Sequence, residues 1–212
     1  MRGTGKHMKN TLECLNNKLT NIYMKKLKKE YLAWKTSEDP HERFSYAQHT
    51  GEWEHLKTDK YWENRLEYAE HTGDWEFLKN DENEDHRRKY AEHTCDWKIL
   101  KNDNYYYNRL KYAEHTGDWD FMKTDKYEDN RLHYAEHTGD YEFLKYDEDR
   151  RNRLEYARHT GNYDFLKNDK NHYNRLEYAD HTGDYEFLKT DENEDNRNIY
   201  KRHARMFEEV IY

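Results

Sequence analysis

A 22-residue unit recurs along most of this chain, and its periodicity restricts the fold more than any other feature. A Tyr-Ala pair marks each copy, with its tyrosine at Tyr46, Tyr68, Tyr90, Tyr112, Tyr134, Tyr156 and Tyr178. An eighth, degraded copy has Lys201 after Tyr200. A repeat this short cannot bury a core alone, so neighbouring copies must stack on one another. The sequence therefore predicts a linear stack of about eight repeats, a solenoid.

Each repeat carries signals for two helices and none for a strand. In one copy Asp125 precedes a helix-like stretch, which predicts an N-cap. Gly139 follows the stretch and suits the left-handed backbone that ends many helices. Asp140 comes next and predicts a cap for a second, shorter helix. We therefore predict an all-α fold, an αα solenoid whose repeats each consist of a long helix, a tight turn and a short helix.

The composition alone would favour a disordered chain. Charged residues make up 39% of the sequence, and the mean hydropathy is −1.61. However, aromatic residues make up 16% and lie in register with the repeat. Aromatic side chains bury a large area each, so a tyrosine-rich core of Tyr, Trp, Phe, Leu and Ala is feasible.

The two ends differ from the repeats. We assign the repeat array to residues 31–203, an amphipathic N-terminal capping helix to 9–30 and an apolar C-terminal capping helix to 204–212. Solenoids need atypical terminal segments of this kind to cover their outermost repeats. We interpret residues 1–8 as an added leader outside the fold.

The charge is unevenly distributed. The net charge is −8, with nine Lys and Arg against two acidic residues in 1–35 (net +7), so the remainder carries −15. An acidic array disfavours direct binding to nucleic acid, which needs Lys and Arg to neutralise phosphates. It is compatible with a basic protein partner or with mimicry of a nucleic acid. No secretory signal or membrane span is evident, and the two cysteines are far apart, so we expect an intracellular, cytoplasmic protein.

An unbroken arginine row follows the repeat. It comprises Arg43, Arg65, Arg87, Arg109, Arg131, Arg153, Arg175 and Arg197. Acidic rows recur just as regularly, for example Glu70, Glu92, Glu114 and Glu136. Stacking places such rows side by side, so we interpret the arginines as structural partners of carboxylates between repeats. The alternative is a phosphate-binding basic stripe.

A histidine row also follows the repeat. It comprises His49, His71, His93, His115, His137, His159, His181 and His203. Each lies in the last helical turn, where an imidazole can cap or pack. Zinc needs three or four ligands, whereas equivalent positions of packed helices are about 8–10 Å apart. We therefore interpret this row as structural and predict no cofactor, with metal binding as the alternative.

The informative variation lies at the start of each long helix. Four positions after the recurrent Asp differ between repeats while their surroundings stay constant, so they are free to recognise a partner. Tyr and Trp are enriched in binding hot spots. The candidate contact residues are Tyr61, Trp62, Tyr105, Tyr106, Tyr107, Tyr127, Arg150, Arg151, His172 and Tyr173. The alternative is neutral variation on a solvated helix start.

The sequence contains no phosphate-binding glycine loop, nucleophile elbow or metalloprotease motif. We therefore expect a non-enzymatic scaffold that binds a protein partner through the variable positions. One alternative is an acidic decoy, such as a viral inhibitor, that mimics nucleic acid toward a basic protein. Another is a metal-binding protein that uses the histidine row.

The helix-pair stacking resembles the ankyrin, tetratricopeptide and HEAT class, although the chain carries none of their signatures. It is more similar to uncharacterised helical repeats of large DNA viruses and protists that pair a Tyr-Ala segment with Leu-Lys-Asn-Asp. Here the two segments are Tyr68-Ala69 and Leu78-Lys79-Asn80-Asp81. The resemblance implies an interaction scaffold with no catalytic residues.

Overall fold

Long α-helices alternate with short 3₁₀-helices in the computed structural model, which describes residues 31–210 together with Lys26 and Lys29. The α-helices are α1 (Pro40–Thr50), α2 (Trp62–Thr72), α3 (Glu84–Thr94), α4 (Tyr106–Thr116), α5 (Glu128–Thr138), α6 (Arg150–Thr160), α7 (His172–Thr182) and α8 (Glu194–Val210). The 3₁₀-helices are η1 (Leu32–Thr36), η2 (Glu54–Leu56), η3 (Glu76–Asn80), η4 (Trp97–Leu100), η5 (Asp120–Thr124), η6 (Glu142–Tyr146), η7 (Asp164–Asn168) and η8 (Glu186–Thr190). These residues contain no strand, and the alternation confirms the predicted αα solenoid.

The chain divides into two units, Met1–Asn108 and Arg109–Tyr212, and their boundary falls within α4. Inside each unit, a long helix packs against the short helix that precedes it, as α3 does on η3 and α6 on η6. The predicted N-terminal capping helix, residues 9–30, lies outside the described chain apart from Lys26 and Lys29. At the other end α8 is one continuous helix, and it includes the predicted C-terminal cap as far as Val210.

The core consists of small clusters that each join two repeats. Ala135 of α5, Leu144 of η6 and Tyr156 of α6 form one such cluster, and all three side chains are buried. Ala69, Leu78 and Tyr90 form the equivalent cluster in the first unit. The alanine leaves room for the leucine, and the tyrosine of the next repeat closes the cluster. The Tyr-Ala pair is therefore constant because each repeat needs both residues to pack on its neighbours.

Glycine ends the long helices as predicted. Gly139 has φ 75° and donates its backbone N–H to the carbonyl oxygen of Ala135 at 2.8 Å. Glycine enters this left-handed region without the steric cost that a side chain brings. Cys95 occupies the same place after α3 with φ 60°, and it is the one non-glycine residue with positive φ among the described residues.

The prediction that the recurrent Asp caps each long helix is wrong. Asp125 ends η5, and the N-cap of α5 is Tyr127. Oδ1 of Asp125 accepts the backbone N–H of Tyr127 at 2.8 Å, which closes a turn just before the helix. Its carboxylate also accepts two hydrogen bonds from Arg109 at 2.6 Å. The carboxylate therefore lies too far back to cap the helix and links two repeats instead.

The second predicted cap also has a different role. The N-cap of η6 is Tyr141, and no side chain caps this helix. Asp140 instead accepts a hydrogen bond from Nζ of Lys123, a lysine of the preceding repeat, at 2.8 Å. Lys57 and Asp74 form the same pair at 2.8 Å in the first unit. Lys167 and Asp184 repeat it at 2.9 Å in the second unit, so these lysines pair with the aspartate that follows the glycine of the next repeat.

We predict that Cys95→Gly stabilises the protein by about 1 kcal/mol, because it removes a side chain from left-handed backbone. Urea unfolding followed by circular dichroism would measure the change. Gly139→Cys is the matched control, since a Cβ added at Gly139 meets no atom within 4 Å and introduces backbone strain alone. It should destabilise by a similar amount. Equal stability of both variants and the unaltered chain would contradict the prediction.

Candidate interaction surface

A buried arginine–aspartate fork joins each repeat to the next. Nε and Nη2 of Arg153 in α6 donate to the two carboxylate oxygens of Asp169 at 2.6 and 2.7 Å. Nη1 of Arg153 donates to the backbone carbonyls of Asp147 and Glu148 at 2.7 and 2.9 Å. The two charged side chains are only 7% and 2% exposed. The Arg153 side chain thus links α6 to the turn that precedes this helix and to the aspartate that follows η7.

The fork recurs throughout the described chain. The pairs are Arg43–Asp59, Arg65–Asp81, Arg87–Asp103, Arg109–Asp125, Arg131–Asp147, Arg153–Asp169 and Arg175–Asp191. The two residues of each pair are always 16 positions apart. The arginines therefore pair with this aspartate row, whereas glutamates such as Glu136 remain exposed on the helices.

The forks lower the pKa values of their carboxyl groups. Burial alone would raise the pKa of Asp81, but hydrogen bonds from Arg65 and from the backbone N–H of Asn83 outweigh it and lower the pKa to about 2. The same balance of burial against the Arg175 fork lowers the pKa of Asp191 to about 2. These carboxylates consequently remain charged inside the protein well below neutral pH.

An asparagine row that the sequence analysis did not single out lies beside the forks. Nδ2 of Asn174 donates to the carbonyl of Arg150, 24 residues earlier, at 3.0 Å and to Oδ2 of Asp169 at 3.2 Å. The row comprises Asn64, Asn108, Asn130, Asn152, Asn174 and Asn196, all buried. His86 replaces asparagine in one repeat and is fully buried. The recurrence of asparagine just before six of the eight arginines was the available signal.

The histidine row packs on aromatic rings. His159 stacks on Tyr141, with ring centroids 3.6 Å apart and planes 11° apart. The same stack joins Trp53 to His71, Trp75 to His93, Trp119 to His137, Tyr163 to His181 and Tyr185 to His203. Each ring partner belongs to the preceding repeat. Over the residues that the structure describes, no group of three or more His, Cys, Asp or Glu side chains is arranged to hold a metal ion.

The variable positions lie where each long helix begins. In the first unit they comprise Tyr61, Trp62, Tyr105, Tyr106 and Tyr107, which we call the first helix-start group. In the second unit they comprise Tyr127, Arg150, Arg151, His172 and Tyr173, the second helix-start group. Trp62 is 40% exposed and Tyr173 is 53% exposed, whereas most others are half-buried. Each group therefore offers aromatic surface to solvent.

Some variable residues are matched to a neighbouring repeat. The Trp62 ring meets the edge of buried His86 at 5.7 Å. Arg150 lies over the ring of Tyr173 at 5.0 Å. Arg151 donates to the Glu128 carboxylate at 3.0 Å. These variable residues therefore contact a neighbouring repeat, and this contact gives them a structural role.

The three consecutive tyrosines of the first group form an aromatic cluster. The ring of Tyr105 lies 5.0 Å from that of Tyr106 and 6.4 Å from that of Tyr107. Burial, followed by the adjacent Tyr106 and the carboxylates of Glu84 and Asp85, raises the pKa of Tyr105. The cluster therefore borders a negatively charged part of the α3 start.

A groove runs beside this cluster, between the start of α3 and η4. We call it the Ile99 groove; its walls include Asn80, Glu82, Glu84, Ile99, Asn102 and Tyr105, and its volume is about 610 Å³. An equivalent groove at Phe165 in the second unit has about 330 Å³. Ile99 stands where Phe165 and its counterparts place a ring, and Asn80 stands where the other groove has the larger Tyr146. Both replacements give this groove smaller walls.

The fold and the site together define a solenoid built from short helical repeats whose helix starts are variable and partly aromatic in composition. No protein-family model, curated protein or solved structure matches the chain. Among the helices of residues 31–210, none combines the length and the apolar character needed to cross a membrane.

We predict that Arg153→Ala lowers the free energy of unfolding by about 3–5 kcal/mol, because it leaves the Asp169 carboxylate buried without its partner. Urea unfolding would measure the loss. Arg158→Ala, in the same helix, is the matched control. Arg158 pairs with Glu155 but is 49% exposed, so its removal should cost about 0–1 kcal/mol. Equal losses at the two positions would show that the fork is not a dominant interaction.

We predict that acid unfolds the protein through the same forks. Carboxyl groups whose native pKa lies below the unfolded value stabilise the fold above that value, near 3.8, and this stability is lost as the pH falls toward about 2. The melting temperature should therefore decrease steadily from about pH 5 to pH 2. Asp81→Asn removes one such group, so its melting temperature should depend less steeply on pH. Parallel pH profiles for the variant and the unaltered chain would contradict this account.

Proposed function

We propose that this protein is a non-enzymatic interaction scaffold that binds a protein partner through its helix-start groups. The observation that carries the proposal is the placement of Trp62 at the start of α2 and of the cluster Tyr105, Tyr106 and Tyr107 at the start of α4. Tyr and Trp dominate binding hot spots because their large rings become buried at an interface with little loss of conformational freedom.

The constant rows support this proposal by elimination. Arginine, aspartate, asparagine and histidine each contact a neighbouring repeat, and the Tyr-Ala pair forms the core. These residues are needed to hold the array together. The variable aromatic residues are only partly used in this way, and their exposed area is available to a partner.

The charge of the chain favours a basic partner. The acidic decoy is the second candidate, since the sequence beyond residue 35 carries a net charge of −15. A decoy would need exposed carboxylates in large number, and the seven aspartates of the forks are buried in ion pairs. We therefore rank the scaffold first and the decoy second.

We predict that replacing Tyr105, Tyr106 and Tyr107 together by alanine reduces capture of the partner at least tenfold, because hot-spot residues each contribute about 2 kcal/mol or more. The intact chain and the variant would be immobilised and exposed to lysate of the source cells. Quantitative mass spectrometry would then compare the retained proteins.

Tyr146→Ala is the control for this experiment. Tyr146 is 82% exposed but lies at the end of η6 and belongs to neither helix-start group, so its loss should leave capture unchanged. Melting curves would establish that each variant is folded. Equal retention by the triple variant would refute the proposed surface. Loss of capture by the intact chain in moderate salt would favour the decoy instead.

A further inference from the structure

The Ile99 groove differs from its counterparts in the shape of its floor. In five other short helices a phenylalanine packs edge-on against the tyrosine of the Tyr-Ala pair, as Phe165 does on Tyr156 at 5.2 Å. In η2 the ring of His55 takes this place, 5.1 Å from that of Tyr46. Ile99 takes that place in η4 and packs beside Ala69, Leu78 and Tyr90. A branched aliphatic side chain covers less of the groove than a ring, so a recess remains whose aliphatic wall is Ile99 among mostly polar side chains.

The groove also carries uncompensated negative charge. The Lys79 ammonium is paired with Asp96 at 3.3 Å, and Arg87 is paired with Asp103 at 2.6 Å. Both cations on the walls are thus neutralised by their own partners. The two remaining acidic residues on the walls are Glu82 and Glu84.

Neither glutamate has a cation to itself. Glu82 is 84% exposed and touches Arg65 at 3.4 Å, but that arginine already forms a fork with Asp81. The Glu84 carboxylate contributes to raising the pKa of Arg87 and of Tyr105, so its negative charge acts on both walls. The groove therefore has room for one additional positive charge near these two carboxylates.

Amide groups flank the recess. Asn80 and Asn102 occupy equivalent positions in consecutive repeats, and both side chains are exposed. A carboxamide offers one acceptor oxygen and two donor hydrogens, which match the carbonyl and N–H groups of an extended peptide. The wall residue Tyr105 adds an aromatic ring beside which a cation can lie.

We propose that the Ile99 groove binds an arginine or lysine side chain from an extended segment of a protein partner. The aliphatic part of that side chain lies against Ile99, its charge lies beside Glu82 and Glu84, and its backbone faces Asn80 and Asn102. This inference rests on the proposed function, because it specifies the chemistry of the partner. A volume of about 610 Å³ is within the range of sites that enclose such a group.

The test uses the full chain and three acetylated, amidated seven-residue Gly-Ser peptides whose central residue is arginine, citrulline or glutamate. Binding is followed by ¹H–¹⁵N NMR titration. We expect the arginine peptide to shift the amide signals of Ile99 and Tyr105, and the citrulline peptide, which has the same shape without charge, to bind at least tenfold more weakly. Equal affinity for the arginine and citrulline peptides would overturn the proposal.

Variants of the groove provide the second part of the test. Ile99→Phe introduces the residue found at this position in most other repeats and should abolish binding of the arginine peptide. Glu82→Gln combined with Glu84→Gln alters one exposed and one half-buried side chain and keeps their shape, and it should weaken binding at least fivefold. Phe165→Ile is the matched control, because the groove it widens is lined by Lys145 and Lys170 and should not gain affinity for arginine. Undiminished binding by either groove variant would overturn the proposal.

The outcomes for the groove and for the tyrosines are separable. If the tyrosine variant loses its captured partner while no peptide binds the groove, the groove inference fails and the scaffold function stands. If the arginine peptide binds as expected while capture does not depend on the tyrosines, the groove inference stands and the proposed tyrosine surface fails.

Discussion

The buried fork between an arginine and an aspartate 16 residues later is the interaction on which the array depends. A charged group can stay inside a protein only when a partner and further hydrogen bonds compensate for its lost hydration. Each arginine meets this requirement with a carboxylate from the next repeat and carbonyls from the turn before its own helix. The hydrophobic clusters are small, so the forks supply much of the geometric restraint that a larger core would provide.

The sequence predicts the features of the fold that depend on period and local backbone. The Tyr-Ala repeat predicts stacking, and Gly139 and its equivalents mark the helix ends because only the local conformation matters there. The role of Asp125 could not be predicted from local rules, because an aspartate before a helix also suits an N-cap. Its actual partner, Arg109, comes 16 residues earlier in the chain, and tertiary packing brings the two side chains together.

The sequence predicts the candidate surface less completely than the fold, again because tertiary packing decides which residues are neighbours. The sequence shows which positions vary, but it does not show which variations compensate one another. The ring of Trp62 contacts that of His86, and Arg151 donates a hydrogen bond to Glu128. These pairs are 23 or 24 residues apart and become neighbours only after the repeats stack. The tyrosines of the first helix-start group are partly used in the same way, since Tyr61 lies 6.3 Å from His41 and Arg88 lies over the ring of Tyr107 at 5.7 Å. The Ile99 groove remains as the feature in which one repeat departs from the others.

The bonds between repeats also bear on how such a chain can change its length. Every fork spans 16 residues and the asparagine–carbonyl bond spans 24, and both offsets are the same wherever the bond occurs. Removing or duplicating one whole 22-residue copy therefore rejoins each arginine to an aspartate and each asparagine to a carbonyl. Recombination between copies can alter repeat number without stranding a buried charge, whereas an insertion of any other length breaks the register at once.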